Sequence, residues 1–275
     1  MKFKKNVVII GGRKFFYWQN SDEKKETIVL LHGFPGNHMG LIDMALRLGD
    51  KYRIIIPDLP ACGQSQDLIG NHNLETYRGW LGAFLENVSV GRFIIIGHSF
   101  GSRLALAFSA AYPEKVEKLI LITPVLEVDG FIARLAASYY MVANMLPNYF
   151  QKLWTSSKLV KKVGNNILFK SSDMALRNKI MQRDIKELNQ LNHKVTMELF
   201  NEFYTSKLLT SEDIIKAECL IIAAEKDEIA TLKSVKTLTA QLRGASLKIM
   251  KSSGHLVPLE DPSATAKIVT SWLKT

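Results

Sequence analysis

The stretch Ile94–Gly101, IIIGHSFG, ends an isoleucine run in a serine held between two glycines. A serine hydroxyl attacks a carbonyl carbon only when a base takes its proton and a third group orients that base. Two such groups follow downstream: LIIAAEKDEIA carries Asp227 just past an apolar run, and KIMKSSGHLVPLEDP carries His255 in a glycine-flanked loop. Ser99, Asp227 and His255 thus occur in an order that suits nucleophile, orienting acid and base. Glu225 and Glu228 flank Asp227 and compete for the role of acid, as does Glu127 after the preceding strand. Acyl transfer also creates an oxyanion, which needs preorganised donors. The backbone N–H of Phe100, next after the serine, and that of Phe34 in LLHGFPG are the candidates, with Pro35 stiffening the second loop. His32 and His98 read as hydrogen-bonding scaffold.

These residues need elements to hold them. NVVII, KFFYWQ and TIVLL open the chain as strands, with Gly11-Gly12 as a hairpin turn between the first two. Alternation follows: a helix around Met39 to Leu48, YRIIIPD, a helix around Leu74 to Glu86, RFIIIG, a helix from Ser99 to Ala111, then KLILIT. Continuous apolar strands separated by helices predict a parallel sheet covered on both faces. Ser99 falls where a buried strand meets a helix, the context a G-x-S-x-G motif requires. Gly97 and Gly101 let that turn close without side-chain clashes. VVIIGG is no dinucleotide loop, because G-x-G-x-x-G is incomplete and an aromatic strand follows.

After Pro124 the alternation stops, and helical patterns alone follow, including Phe131 to Leu146, Met174 to Leu191 and Val195 to Tyr204. CLIIAA and SLKIM then resume the strands, and a helix with Asp261 as N-cap and Pro262 at its first position closes the chain. The expected division is a core of residues 1–124 and 212–275 with a helical cap, residues 125–211, inserted into it. The first cap helix repeats apolar residues at Phe131, Leu135, Tyr139, Val142 and Leu146, a stripe suited to roofing a pocket over Ser99. Phe131, Leu135, Tyr139 and Val142 are the expected substrate-binding residues. Lys152, Lys158, Lys161, Lys162, Lys170, Arg177, Lys179 and Arg183 face only Asp173 as counter-charge within their stretch, which suits docking of an acidic acyl carrier protein or an anionic surface.

Composition bounds the rest. The chain has 275 residues, 47% hydrophobic and 23% charged, as expected of a folded globular protein. Its net charge of +10 comes with no nucleic-acid motif, so no nucleic-acid partner is expected. The six histidines show no metal-ligand spacing, and neither a metal nor a cofactor is expected. Two cysteines in unrelated contexts suit a reducing compartment. Val7–Ile10 is too short for a signal-peptide core, no run of about 18 apolar residues forms a transmembrane segment, and the expected location is the cytoplasm.

HGFPG, PDLPACGQS, GHSFGS, LILITP, LIIAAEKD and SGHLVPLEDP, in that order, resemble the α/β-hydrolase superfamily over nearly the whole chain. The resemblance implies an eight-stranded, mostly parallel sheet with helices on both faces and a helical cap after the sixth strand. Cys62, Ser102 and Ala224 depart from the usual residues by small-for-small changes. The implied activity is a serine hydrolase cleaving a carboxylic ester of short to medium acyl chain, a small-molecule substrate, without cofactor. Epoxide hydrolases and haloalkane dehalogenases of this superfamily use an aspartate where Ser99 stands. Carbon–carbon bond hydrolases keep the serine triad and are the alternative enzyme reading, and a non-catalytic ligand-binding protein on the same fold is the alternative outside enzymes.

Overall fold

The computed structural model describes residues 2–20, 26–48, 51–125, 134–135, 138–139, 142, 145–147, 150, 167–188, 192–205 and 214–275, with backbone alone at 181, 183–188, 193 and 203–205. β1 (Lys4–Ile10) and β2 (Arg13–Gln19) form an antiparallel hairpin. Its turn residues Gly11 and Gly12 both have positive φ, +56° and +76°, the geometry that matches the twist of the strands it joins. β3 (Thr27–Leu31), β4 (Arg53–Pro57), β5 (Phe93–His98), β6 (Val116–Ile122), β7 (Glu218–Ala224) and β8 (Ser246–Met250) complete one eight-stranded sheet in the order β1-β2-β4-β3-β5-β6-β7-β8. β2 runs antiparallel to β4, and every pairing from β4 to β8 is parallel.

The continuous apolar strands are explained by burial on both faces. Val29, Leu31, Ile95, Leu119, Leu121 and Ile221 pack toward α2 (Leu74–Asn87), α3 (Phe100–Ala111) and α6 (Leu232–Gln241). The alternate residues Ile28, Leu30, Ile94, Ile96, Ile120 and Ile222 pack toward α1 (Ile42–Leu48) and α8 (Pro262–Trp272). Polar caps set the helix starts. Asn73 and Thr76 close a reciprocal capping box on α2, and the Asp261 side chain accepts the Ala264 N–H at the start of α8, as its sequence predicts.

One expected helix is broken. Residues 38–48 form a one-turn 3-10 helix, His38–Gly40, and then α1, because the Asn37 side chain accepts the Met39 N–H and Asp58 takes the His38 N–H, fixing a turn before the helix can start. Between β6 and β7 the described helices are α4 (Met174–Leu188) and α5 (His193–Thr205). Arg134, Leu135, Ser138, Tyr139 and Val142 are helical too, but Phe131 and most of that stretch lie outside the described residues. β3 lies between β4 and β5, so the connections leaving β3 and β4 run in opposite directions across the sheet. The crevice at the carboxyl ends of β3 and β5 is where open α/β sheets bind ligands.

Candidate active site

Ser99 stands at that crevice, between β5 and α3, with φ +54° and ψ −115°. A non-glycine residue with such a backbone costs about 1–3 kcal/mol and persists only where its surroundings enforce it. Here the Ser99 N–H donates to Ile122 O at 3.0 Å, Ser102 N–H to Ser99 O at 3.0 Å, and the Ser102 hydroxyl to Gly97 O at 2.7 Å. Both flanking glycines are required. A Cβ on Gly97 would lie 2.2 Å from Gly101 O, and one on Gly101 would lie 2.1 Å from Leu31 O. The turn is therefore wedged against the neighbouring strand β3.

The structure brings Ser99, His255 and Asp227 together. His255 Nε2 lies 2.8 Å from Ser99 Oγ, and its Nδ1 lies 2.8 Å from Asp227 Oδ2. Asp227 Oδ1 accepts the Ile229 and Ala230 N–H groups at 2.8 and 2.9 Å, which aims Oδ2 at the imidazole. With a carboxylate at Nδ1, that nitrogen carries the proton and Nε2 is left to accept from the serine. Ser99, His255 and Asp227 are 7%, 5% and 6% exposed, so the chain of hydrogen bonds is shielded from competing water. Glu225 and Glu228 are exposed, and Glu228 pairs with Lys170 at 3.2 Å. Glu127 lies outside the described residues.

Phe34 and Phe100 flank Ser99 from the two sides. Phe100 begins α3, and Phe34 follows Gly33, where a Cβ would come within 3.1 Å of Ser99 Cβ. Their rings pack edge to face at 6.3 Å, and Phe34 meets Phe200 of α5 at 6.2 Å. His32 holds this loop. Its Nδ1–H donates to Gly33 O at 2.8 Å, and its Nε2 accepts the Leu59 N–H at 2.9 Å. Burial lowers its pKa and keeps it neutral for that double role.

His98 and Thr123 form a layer beneath the catalytic histidine candidate. His98 Nε2–H and the Thr123 hydroxyl both donate to His255 O, each at 3.0 Å. Burial first, and then the neighbouring His255, push the His98 pKa down to about 3, so it is a neutral donor at any ordinary pH. The sequence carries no signal for Thr123 beyond its position at the end of β6, where it adopts φ +42°. Nor does it point to Leu168, between β6 and β7, whose carbonyl accepts the His255 N–H at 2.9 Å.

A second histidine–carboxylate pair lies nearby in the fold. His38 Nδ1 is 2.8 Å from Asp58 Oδ1, which also accepts the His38 N–H, while Oδ2 accepts the Gln64 N–H. The His38 ring stacks on Trp18 with centroids 3.3 Å apart. Asp58 is fully buried, and a Cβ on Gly63 would strike its carboxylate, which explains that glycine in PDLPACGQS.

The segment between β6 and β7 reaches the core at two further points. Glu198 of α5 accepts the His72 N–H at 3.0 Å, and Glu202 of α5 favours the charged form of Arg103, a fully buried α3 residue whose pKa burial lowers to about 10. Of the expected substrate-binding residues, Leu135 and Val142 are 51% and 46% exposed and Tyr139 is partly buried. Phe131 is outside the described residues, as are Lys152, Lys158, Lys161 and Lys162 of the basic stretch. Lys170 of that stretch is already paired with Glu228. Among the described residues, no helix is long and apolar enough to cross a membrane.

The family model for the alpha/beta hydrolase fold matches residues 26–262, and the chain belongs to that family. It is similar to the 2-hydroxy-6-oxononadienedioate/2-hydroxy-6-oxononatrienedioate hydrolase of Escherichia coli O81, 25% identical over 262 residues, with 90% of this chain and 87% of the relative covered. It is also 22% identical over 274 residues to monoacylglycerol lipase abhd6-B of Xenopus laevis, covering 91% and 76% of the two chains. Among solved structures, the enol-lactonase from Burkholderia xenovorans LB400 superposes with a TM-score of 0.83 over 98% of this chain and 100% of that one, at 15% identity, a likeness of fold. Family and relatives together support a hydrolase.

Proposed function

We propose that the protein is a serine hydrolase that cleaves a carboxylic ester through an acyl-enzyme on Ser99. The observation that carries this reading is the continuous hydrogen-bonded chain from Ser99 Oγ through His255 to Asp227, at the carboxyl ends of the parallel strands. Ser99 Oγ attacks the acyl carbon while His255 Nε2 takes its proton, and Asp227 stabilises the imidazolium through Nδ1–H. The backbone N–H groups of Phe34 and Phe100 receive the oxyanion. Collapse of the tetrahedral intermediate expels the alcohol, which takes the proton from His255. Water then attacks the acyl carbon, His255 again acting as base, and the acid leaves with Ser99 restored. Every proton in this cycle passes through His255, so no cofactor enters it.

An apolar acyl group of short to medium length is the expected substrate, a reading supported by the aromatic ring of Phe34, which follows the Gly33 contact with Ser99 and meets Phe200 of α5. Residues 125–211 act as the cap over this site, a reading supported by Phe200 on Phe34, Glu198 on the His72 backbone and Leu168 on the His255 backbone. Docking of an acidic carrier at the cap rests on charge alone, and the pairing of Lys170 with Glu228 removes one cation from it. Carbon–carbon bond hydrolysis is the second reading, favoured by the likeness to the Escherichia coli relative, whose name describes such dienedioate substrates.

A panel of p-nitrophenyl esters and 2-hydroxy-6-oxo-dienoates separates the two. The ester reading expects turnover of C2 to C8 esters by the wild type, none by Ser99→Ala, and little of the dienoates. Turnover of the dienoates alone overturns it in favour of the second reading.

A further inference from the structure

Outside the Ser99–His255–Asp227 chain and the Asp58–His38 pair, the half-buried carboxylate of Glu260 takes backbone N–H groups from two separate segments. Glu260 ends α7 (Val257–Glu260), the single turn that follows His255. Its Oε1 accepts the Gly254 N–H at 3.0 Å, immediately before the histidine, and its Oε2 accepts the Lys170 N–H at 3.0 Å, in the insertion. The two segments also touch directly. A Cβ on Gly254 would lie 2.8 Å from Leu168 O, the same carbonyl that takes the His255 N–H, and 2.6 Å from Lys170 Cγ. A backbone carbonyl cannot swing aside as a side-chain end can, so glycine at 254 is what admits this approach. Lys170 Nζ meanwhile reaches Glu228, one residue beyond Asp227. The stretch Leu168–Lys170 thus grips the loops carrying both partners of Ser99.

We propose that Glu260 is a positioning residue: by holding the Gly254 and Lys170 N–H groups on opposite carboxylate oxygens, it ties the His255 loop to the insertion and sets the imidazole against Ser99. Its kinetic consequence rests on the reading of Ser99 as nucleophile, whereas the tether itself does not. Burial pushes the Glu260 pKa up, while backbone N–H groups of Lys170, Gly254, Ser171 and Leu256 pull it down. A neutral isostere therefore sheds the desolvation of the charge and isolates the loss of the tether. Glu260→Gln turns an NH2 group against one backbone N–H, which breaks one arm of the clamp. Gly254→Ala loosens the same junction from the other side, by displacing Leu168 and Lys170.

Three readouts separate positioning from mere folding: the rate at which a fluorophosphonate inactivates the enzyme, kcat and KM with an ester, and the low-field proton resonance of His255 Nδ1–H. A misplacement of the order of 1 Å at a reacting group costs up to about 10²-fold in rate. Both variants are expected to be inactivated about tenfold or more slowly, with the loss in kcat rather than KM and with the His255 resonance broadened. Their melting temperatures should fall by no more than about 4 °C, the equivalent of roughly 1 kcal/mol. Wild-type inactivation rates in both variants, or losses that merely follow the unfolded fraction, overturn the proposal. If the wild type is itself never labelled at Ser99, the hydrolase reading fails. The resonance then decides alone: broadening in Glu260→Gln upholds the tether, and an unchanged signal overturns it.

Discussion

Among the described residues, two buried histidine–carboxylate pairs share the same 2.8 Å contact, Asp227–His255 and Asp58–His38, in different surroundings. Each aspartate follows the carboxyl end of a parallel strand, and each accepts backbone N–H groups from its own loop. The difference lies beyond the imidazole. His255 presents Nε2 to a serine in strained backbone geometry, whereas His38 is stacked face to face on Trp18 and gives its own N–H to the same carboxylate. One ring is held by the carboxylate at one edge and faces the Ser99 hydroxyl at the other, and the second is pinned on a face, an edge and its backbone. An Asp–His contact therefore marks chemistry only where the outer nitrogen meets a reacting group. Elsewhere it fastens a turn.

Removing the carboxylate charge from each pair is the sharpest way to break this comparison. Asp227→Asn should reduce kcat by about 10⁴-fold, because the amide holds the wrong imidazole tautomer. Its effect on stability should be the lesser one. Asp58→Asn should do the reverse: kcat of the folded protein survives, while about 3 kcal/mol of stability is lost through the unpaired buried donors, seen as a lower denaturation midpoint. Equal kcat losses in the two variants would mean that both pairs serve the reaction. Glu225→Gln and Glu228→Gln, on exposed carboxylates, should leave kcat within about twofold of the wild type if Asp227 is the orienting acid.

A smaller effect sharpens the contrast between His98, a neutral support, and His255, the proposed base. His98 has a folded pKa of about 3 against an ordinary 6.5, so the unfolded chain binds a proton that the folded one refuses. That stability is fully present above pH 6.5 and is lost progressively as the pH falls toward 3. His98→Gln keeps a donor for His255 O and removes the titration. Its melting temperature should therefore fall less between pH 7 and pH 5 than that of the wild type. Parallel curves for the two proteins would show that His98 is not held neutral by the fold.

Much of this architecture is legible in the chain because it is local. Gly11-Gly12 marks its hairpin, Asp261-Pro262 marks the last helix, and the apolar runs alternate with helices along the chain, although β3 and β4 exchange places in the sheet. IIIGHSFG announces a strand-to-helix turn because only glycines fit at 97 and 101. The helix expected at 39–48 starts only at Ile42 because Asp58, distant in sequence, pins His38, and no pattern within the helix reports that contact. The same holds for Leu168, which acts through its carbonyl, and for Thr123 and Glu260, whose side chains meet backbone groups of the His255 loop. Side-chain periodicity carries no record of which carbonyl a backbone N–H will meet. Phe131 and most of the expected cap stripe lie outside the described residues, and Leu135 and Val142 are about half exposed, so the stripe is not a simple buried face.

The role of Ser99 is tested most directly by intact-mass spectrometry after treatment with a fluorophosphonate. One adduct per chain is expected, mapping to Ser99 and absent from Ser99→Ala, even though other serines are more exposed. An adduct that persists in the alanine variant, or a wild-type chain that takes up none while folded, would contradict a nucleophile at this turn.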